Sequence, residues 1–203
     1  LEGSSHPGAK KSGLAVLMGD ETWYKPYQLD VATGIENYSS EPVTLKNFYY
    51  DYYGYISDGD INSRTNWPRE WYLNDGFDKI GYKDYNKGET AKMSYCGNGR
   101  FRIRFKYSGS VTIPSKHSKF DNKVGFVYAT ARDGKKIIRE KRFDWALSPY
   151  TSGNPVEYDT LRSRAYATHI PLYDEKGNLL WGNAPSWSGE CVDLHRYVGD
   201  NNI

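Results

Sequence analysis

The chain has 203 residues and a formal net charge of +2. This length holds one domain with a real core, and the near-balanced charge excludes nucleic acid as a default partner, leaving any basic function to local clustering. Aromatic residues make up 16% of the chain, with 19 Tyr and 6 Trp, and Tyr, Trp, Phe, Val and Thr suit strands better than helices, so the composition points to a secreted all-β protein.

Residues 1–13 are small, polar and basic, and read as a flexible N-terminal arm. Leu14-Ala15-Val16-Leu17-Met18 is too short for a leader or a membrane span, so the chain reads as beginning after any leader was removed. A domain is expected over 14–181, with an irregular tail, 182–203, packed on it. Segments 30–37 and 43–49 form an expected hairpin.

Phe48-Tyr49-Tyr50-Asp51-Tyr52-Tyr53-Gly54-Tyr55 then places aromatics on both faces of one strand. A tyrosine ring with its polar tip suits sugar stacking, a cationic head group or a bilayer interface. The plainer alternative is a core strand covered on both sides. Residues 54–88 read as a long aromatic loop with room for one short strand near Ile80–Tyr82, in which Trp67 and Trp71 extend the tyrosine patch. Asp58-Gly59-Asp60-Ile61-Asn62 resembles the start of a calcium loop but lacks the closing Glu, so it reads as a solvated turn and no metal site is expected.

Strands are expected at 90–96, 101–107, 110–113, 124–130 and 135–143, the last two joined by the Asp133-Gly134 turn. Arg100, Arg102, Arg104 and Lys106 alternate with Phe101, Ile103, Phe105 and Tyr107. A strand has a period of two, so the cations share one face, about 7 Å apart, and the apolar residues share the other. The cation face is a candidate anion ladder for lipid head groups, acidic glycans or a nucleic-acid backbone. Its plainer alternative is a solvent face paired with acids of a neighbouring strand.

Segment 164–172 reads as another strand and 174–178 as a turn. Trp181 and Trp187 look exposed around a proline turn, in a tail expected to pack across the domain and be held by Cys191. Cys96 and Cys191 form either one bridge, worth about 3–4 kcal/mol in the loop-entropy model, or two free thiols. Export favours the bridge. His117, His169 and His195 have no metal-ligand spacing, and no nucleophile, phosphate-loop or catalytic-Cys signature is present. The chain therefore reads as a recognition protein without cofactor rather than an enzyme. A small toxin nuclease is the enzymatic alternative, pairing His117 with Asp121 or His169 with Asp174.

The order of several pieces over residues 31–158 resembles the aegerolysins, lipid-binding β-sandwich proteins. The pieces are Ile35-Glu36-Asn37-Tyr38-Ser39 with Val43-Thr44-Leu45-Lys46-Asn47, then Gly88-Glu89-Thr90-Ala91 leading to Cys96-Gly97-Asn98-Gly99-Arg100. Phe143-Asp144-Trp145 with Pro149-Tyr150-Thr151-Ser152-Gly153-Asn154 completes the order. Leu147 stands where that family has a second Cys. The actinoporin-type sandwich is similar at a comparable distance.

The resulting expectation is a single antiparallel β-sandwich that binds membrane lipid head groups, with cytolysis implied by the resemblance only. Tyr49, Tyr50, Tyr52, Tyr53, Tyr55, Trp67 and Trp71 would form the aromatic patch, and Arg100, Arg102, Arg104 and Lys106 would attract phosphate. The alternative is a glycan- or protein-binding module, an adhesin or inhibitor, using the same residues. A protein partner or self-association stays open.

Overall fold

A computed structural model describes residues 12–20, 28–55, 70–73, 77–79, 82–84, 91–115, 118–130, 144–151 and 165–193. The Asp58 turn, Trp67, His117, His195 and the 131–143 half of the expected hairpin lie outside the described residues, as does nearly all of the arm.

The described strands are β1 (Leu14–Asp20), β2 (Gln28–Asn37), β3 (Val43–Lys46), β4 (Tyr49–Tyr55), β5 (Glu70–Leu73), β6 (Phe77–Lys79), β7 (Tyr82–Asp84), β8 (Ala91–Tyr95), β9 (Arg100–Lys106), β10 (Ser110–Ile113), β11 (Ser118–Thr130), β12 (Ala165–Tyr166), β13 (Leu172–Tyr173), β14 (Leu179–Trp181) and β15 (Val192–Asp193). Two sheets carry the fold. The first has the order β12-β1-β2-β11-β5 and the second β14-β13-β4-β9-β8-β15. The pairs β10–β3 and β6–β7 form two small antiparallel ribbons. The protein is an all-β antiparallel sandwich.

The period of two decides what fills the space between the sheets. Phe101, Ile103 and Phe105 of β9 are 0%, 0% and 1% exposed, while Arg100, Arg102 and Arg104 are half-buried and Lys106 is exposed. Tyr50 and Tyr52 of β4 join that apolar side, with Val16 and Ile35 of the first sheet and Trp181 of β14 in the same core. A fully buried side chain of this size contributes roughly 1.5–3 kcal/mol. A hydrogen bond of 2.7 Å between the Tyr50 hydroxyl and Thr33 Oγ1 spans the two sheets.

Gly54 lies opposite Phe101 on β9, and a Cβ added there would run into the Phe101 ring. The β8–β9 turn needs three successive left-handed residues, Gly97, Asn98 and Gly99, with φ of 82°, 53° and 77°. Glycine and asparagine tolerate that region.

Five expectations change. Segments 30–37 and 43–49 do not pair as a hairpin: β2 pairs with β1 and β11, while β3 pairs with β10. Leu14–Met18 is part of β1, with all five side chains buried. The long-loop segment 54–88 holds the short strands β5, β6 and β7. Segment 164–172 is not one strand: after Tyr166 the chain turns, the Ile170 amide donating to Ala167 O, and pairing resumes at β13. Trp181 is fully buried, its indole N–H donating to Ala167 O at 2.8 Å.

The chain leaves the second sheet at β14, one edge, and rejoins it at β15, the other edge. Residues 182–191 connect those edges as a strap. A disulfide between Cys191 and Cys96 ties its end to β8. Its start is held where Asn183 N donates to Thr168 O and the Trp145 indole donates to Asn183 O.

Candidate functional site

The strap identifies the outer face of the second sheet. Trp187 packs edge-on against Tyr53, ring centroids 5.3 Å apart, and the Arg100 guanidinium lies over the indole at 5.0 Å. Both partners are on the side of β4 and β9 that faces away from the core. Cross-strand register then lays out the rest in rows: Tyr173, Tyr49 and Lys106; Asp51 and Arg104; Tyr53, Arg102 and Ser94; Tyr55 and Arg100.

Each cation has a different surrounding. Arg104 makes a two-pronged pair with Asp51, Nε to Oδ1 at 2.8 Å and Nη2 to Oδ2 at 2.9 Å. Its guanidinium also lies 4.3 Å from the Tyr49 ring centre, a cation–π distance. Burial opposes the Arg104 charge and is the largest influence on it. The Asp51 hydrogen bonds and charge outweigh it and raise the pKa above the ordinary arginine value. Arg102 donates from Nη2 to Ser94 Oγ at 3.1 Å, and among the described residues its buried Nε–H meets no acceptor. Lys106 is exposed. Among the described residues, only Arg104 of the four has a carboxylate within ion-pair distance. Among the described residues, the expected neighbouring acids therefore neutralise one of the four cations.

The aromatics partner one another. Tyr49 and Tyr173 stack at 4.9 Å and 23°. Burial first, then the Asp51 charge, pushes the Tyr173 hydroxyl up to about 12. The same causes raise Tyr53 further. Both hydroxyls stay protonated and able to donate at neutral pH. The Tyr53 hydroxyl lies 3.4 Å from Asp51 Oδ2.

The seven-aromatic patch expected from the sequence does not form. Tyr50 and Tyr52 face the core, 1% and 0% exposed, with hydroxyls on Thr33 and on Asp144 Oδ2 at 2.6 Å. A pattern with aromatics on both faces cannot say which set is outside. Trp71 belongs to β5, in the other sheet. Tyr49, Tyr53 and Tyr55 remain with the cation row. Asp51, Tyr173 and Trp187 join them. Asp51 had a signal in the sequence, as the acid within the tyrosine run at the spacing of its outer face. Tyr173 had none.

His169 does not pair with Asp174. Its ring stacks on Trp145 at 3.9 Å and 3°, and Nδ1 lies 2.7 Å from Ser148 Oγ and 3.0 Å from Trp145 O. Asp174 accepts instead from the Lys176 and Asn178 amides of its own turn. The His169–Asp174 pair expected for a nuclease does not form. Among the described residues no cluster of His, Cys, Asp and Glu is placed to hold a metal ion, and no helix is long and apolar enough to cross a membrane.

Comparison with family models and with curated protein sequences finds no match. Solved structures of similar fold do exist. A scaffoldin carbohydrate-binding module of family 3b from the cellulosome of Bacteroides cellulosolvens has a TM-score of 0.55 at 16% identity, covering 88% of this chain and 100% of its own. The family 3b module of the cellulosomal cellobiohydrolase 9A from Clostridium thermocellum gives 0.54 at 13%, covering 85% and 97%. A family 3b module from the biomass sensoring system of Clostridium clariflavum gives 0.52 at 15%, covering 87% and 99%. The likeness is one of fold.

It overturns the resemblance to aegerolysins and actinoporins. Among the described pieces of that resemblance, Cys96–Arg100 is the β8–β9 turn and 145–151 is a short helical segment, local features that do not set one sandwich apart from another. The lipid-head-group reading leaned on that resemblance and on the seven-aromatic patch, and it falls with both.

Proposed function

We propose that this chain is a non-catalytic carbohydrate-binding domain of a secreted protein, with the outer face of the second sheet as its glycan-binding face. The observation that carries this reading is the row Tyr173–Tyr49–Arg104–Asp51 on a two-sheet sandwich whose solved counterparts are carbohydrate-binding modules. Tyrosine edges and hydroxyls and a guanidinium, fixed by their neighbours and by the buried Asp51 carboxylate, offer polar groups at set spacing to sugar hydroxyls. Because the partners are already ordered, little side-chain entropy is lost on binding. The disulfide supports an oxidising, extracellular setting.

The test is affinity electrophoresis and sedimentation against a panel of soluble and insoluble polysaccharides. Retention by at least one glycan is expected. The double variant Tyr49→Ala/Tyr173→Ala should lose about tenfold or more in affinity, the scale of about 1.4 kcal/mol, with its melting behaviour retained. No retention on any glycan would sink the reading.

A further inference from the structure

Resting on the glycan-binding reading of this face, we infer that its ligand is an acidic polysaccharide, one bearing carboxylates along the chain, rather than a neutral glucan. The argument begins with the charge left over after internal pairing. Arg100, Arg102, Arg104 and Lys106 share the face, and Asp51 satisfies Arg104 alone. Among the described side chains that β4 and β9 present on this face, four cations meet one carboxylate, and Arg104 already consumes it.

Arg102 is the most telling member. A guanidinium carries five N–H donors in a planar fork that matches a carboxylate. Here the fork is half-buried, its Nη2 meets only the neutral Ser94 hydroxyl, and its Nε–H is buried without an acceptor among the described residues. A partly desolvated cation with neutral company is unfavourable alone and gains most from an arriving carboxylate. Arg100 and Lys106 lie roughly 7 Å and 13 Å from it along the same strand. A line of cations at regular spacing suits a polymer with repeated charge better than a single small anion.

The rings favour sugar over nucleic acid as the carrier of that charge. Base binding uses open aromatic faces. Tyr49 already has Tyr173 and the Arg104 guanidinium against it, and Trp187 carries Arg100. What the row presents is ring edges and the hydroxyls of Tyr49 and Tyr173, which suit a hydroxyl-rich chain.

The experiment measures binding of the full chain to polygalacturonate, to the same polymer methyl-esterified, to cellulose and to a single-stranded oligodeoxynucleotide, at low and high ionic strength. Polygalacturonate should bind at least about tenfold tighter than its ester, with affinity falling several-fold as salt rises. Arg102→Gln should lose about tenfold for the acid and clearly less for the ester, so that the ratio of the two affinities falls, while Arg102→Lys keeps part of that ratio. Thermal melts confirm that both variants are folded. Equal affinity for acid and ester, or binding to cellulose alone, would overturn the acidic class and leave the carbohydrate reading standing. Tighter binding to the oligonucleotide than to polygalacturonate would overturn the inference in favour of nucleic acid. Binding to none of the four, with no glycan retained elsewhere, would remove both.

Discussion

Tyr52 and Tyr53 adjoin in β4 and are 0% and 2% exposed, yet they are buried by different means. Tyr52 is on the core side: its ring lies 6.4 Å from Phe101 of the neighbouring strand β9, and its hydroxyl donates to the buried Asp144 carboxylate. Tyr53 is on the far side of the same sheet and is covered by Trp187 of the strap, with Asp51, Arg102 and Arg104 around it. One cover is the body of the fold. The other is a short segment fixed at its two ends, over polar and charged neighbours. Loss of stability and loss of the outer surface are therefore separable.

The largest expected effect strikes the Tyr52 side. Phe101→Ala removes a fully buried ring from between the sheets, next to Tyr52 and the close approach of Gly54. A loss of about 3–5 kcal/mol is expected in denaturant unfolding. The folded fraction of the variant should keep its affinity for glycan, because Phe101 faces away from the cation row. A cost under about 1 kcal/mol would mean that the ring is not packed as described.

The second effect strikes the other cover. Replacing both cysteines, Cys96→Ser with Cys191→Ser, releases a link across 95 residues. About 2–4 kcal/mol of stability should be lost. More specifically, Trp187 should leave Tyr53 and Arg100, seen as a red shift and easier iodide quenching of fluorescence relative to a Trp187→Phe background. An unchanged environment at Trp187 would show that strap packing, not the bridge, holds the cover.

These two covers were unequally legible in the sequence. β9 was readable because cations and apolar residues alternate without exception, so burial could follow only one phase. β4 was not, because tyrosine suits either face and position alone cannot choose between them. β1 was hidden for a related reason: five buried residues in a row carry no alternation, as expected of a strand covered on both sides. The break within 164–172 depends on turns that the Tyr166–Leu172 sequence barely marks. The outer site depends on long-range meetings, Tyr49 with Tyr173 and Tyr53 with Trp187, and pair contacts across more than a hundred residues leave no local pattern. Beside the cation alternation of β9, the carboxylate inside the tyrosine run was the other visible trace of that face.

The smallest effect concerns the strap's other anchor. His169 stacks on Trp145, whose indole donates to Asn183 at the start of the strap. Burial lowers the His169 pKa below 6.5, with the Trp145 carbonyl partly offsetting it. A depressed histidine pKa means that folding favours the neutral ring. The associated stability is present above the unfolded value near 6.5 and is lost as pH falls through the lower folded value. The melting temperature should therefore be flat from pH 8 to 7 and decline gently below about 6.5, and His169→Gln should remove that decline. Asp174, held below 3.8 chiefly by Asn178, adds a loss of the same sign only in stronger acid. In the outer row, Tyr173 sits near 12, Tyr53 higher still, and Arg104 above its ordinary value. Glycan affinity should accordingly hold steady between pH 8 and 6 while stability bends. Parallel declines of affinity and melting temperature, both abolished by His169→Gln, would instead tie the anchor to the binding face and merge the two covers into one cooperative unit.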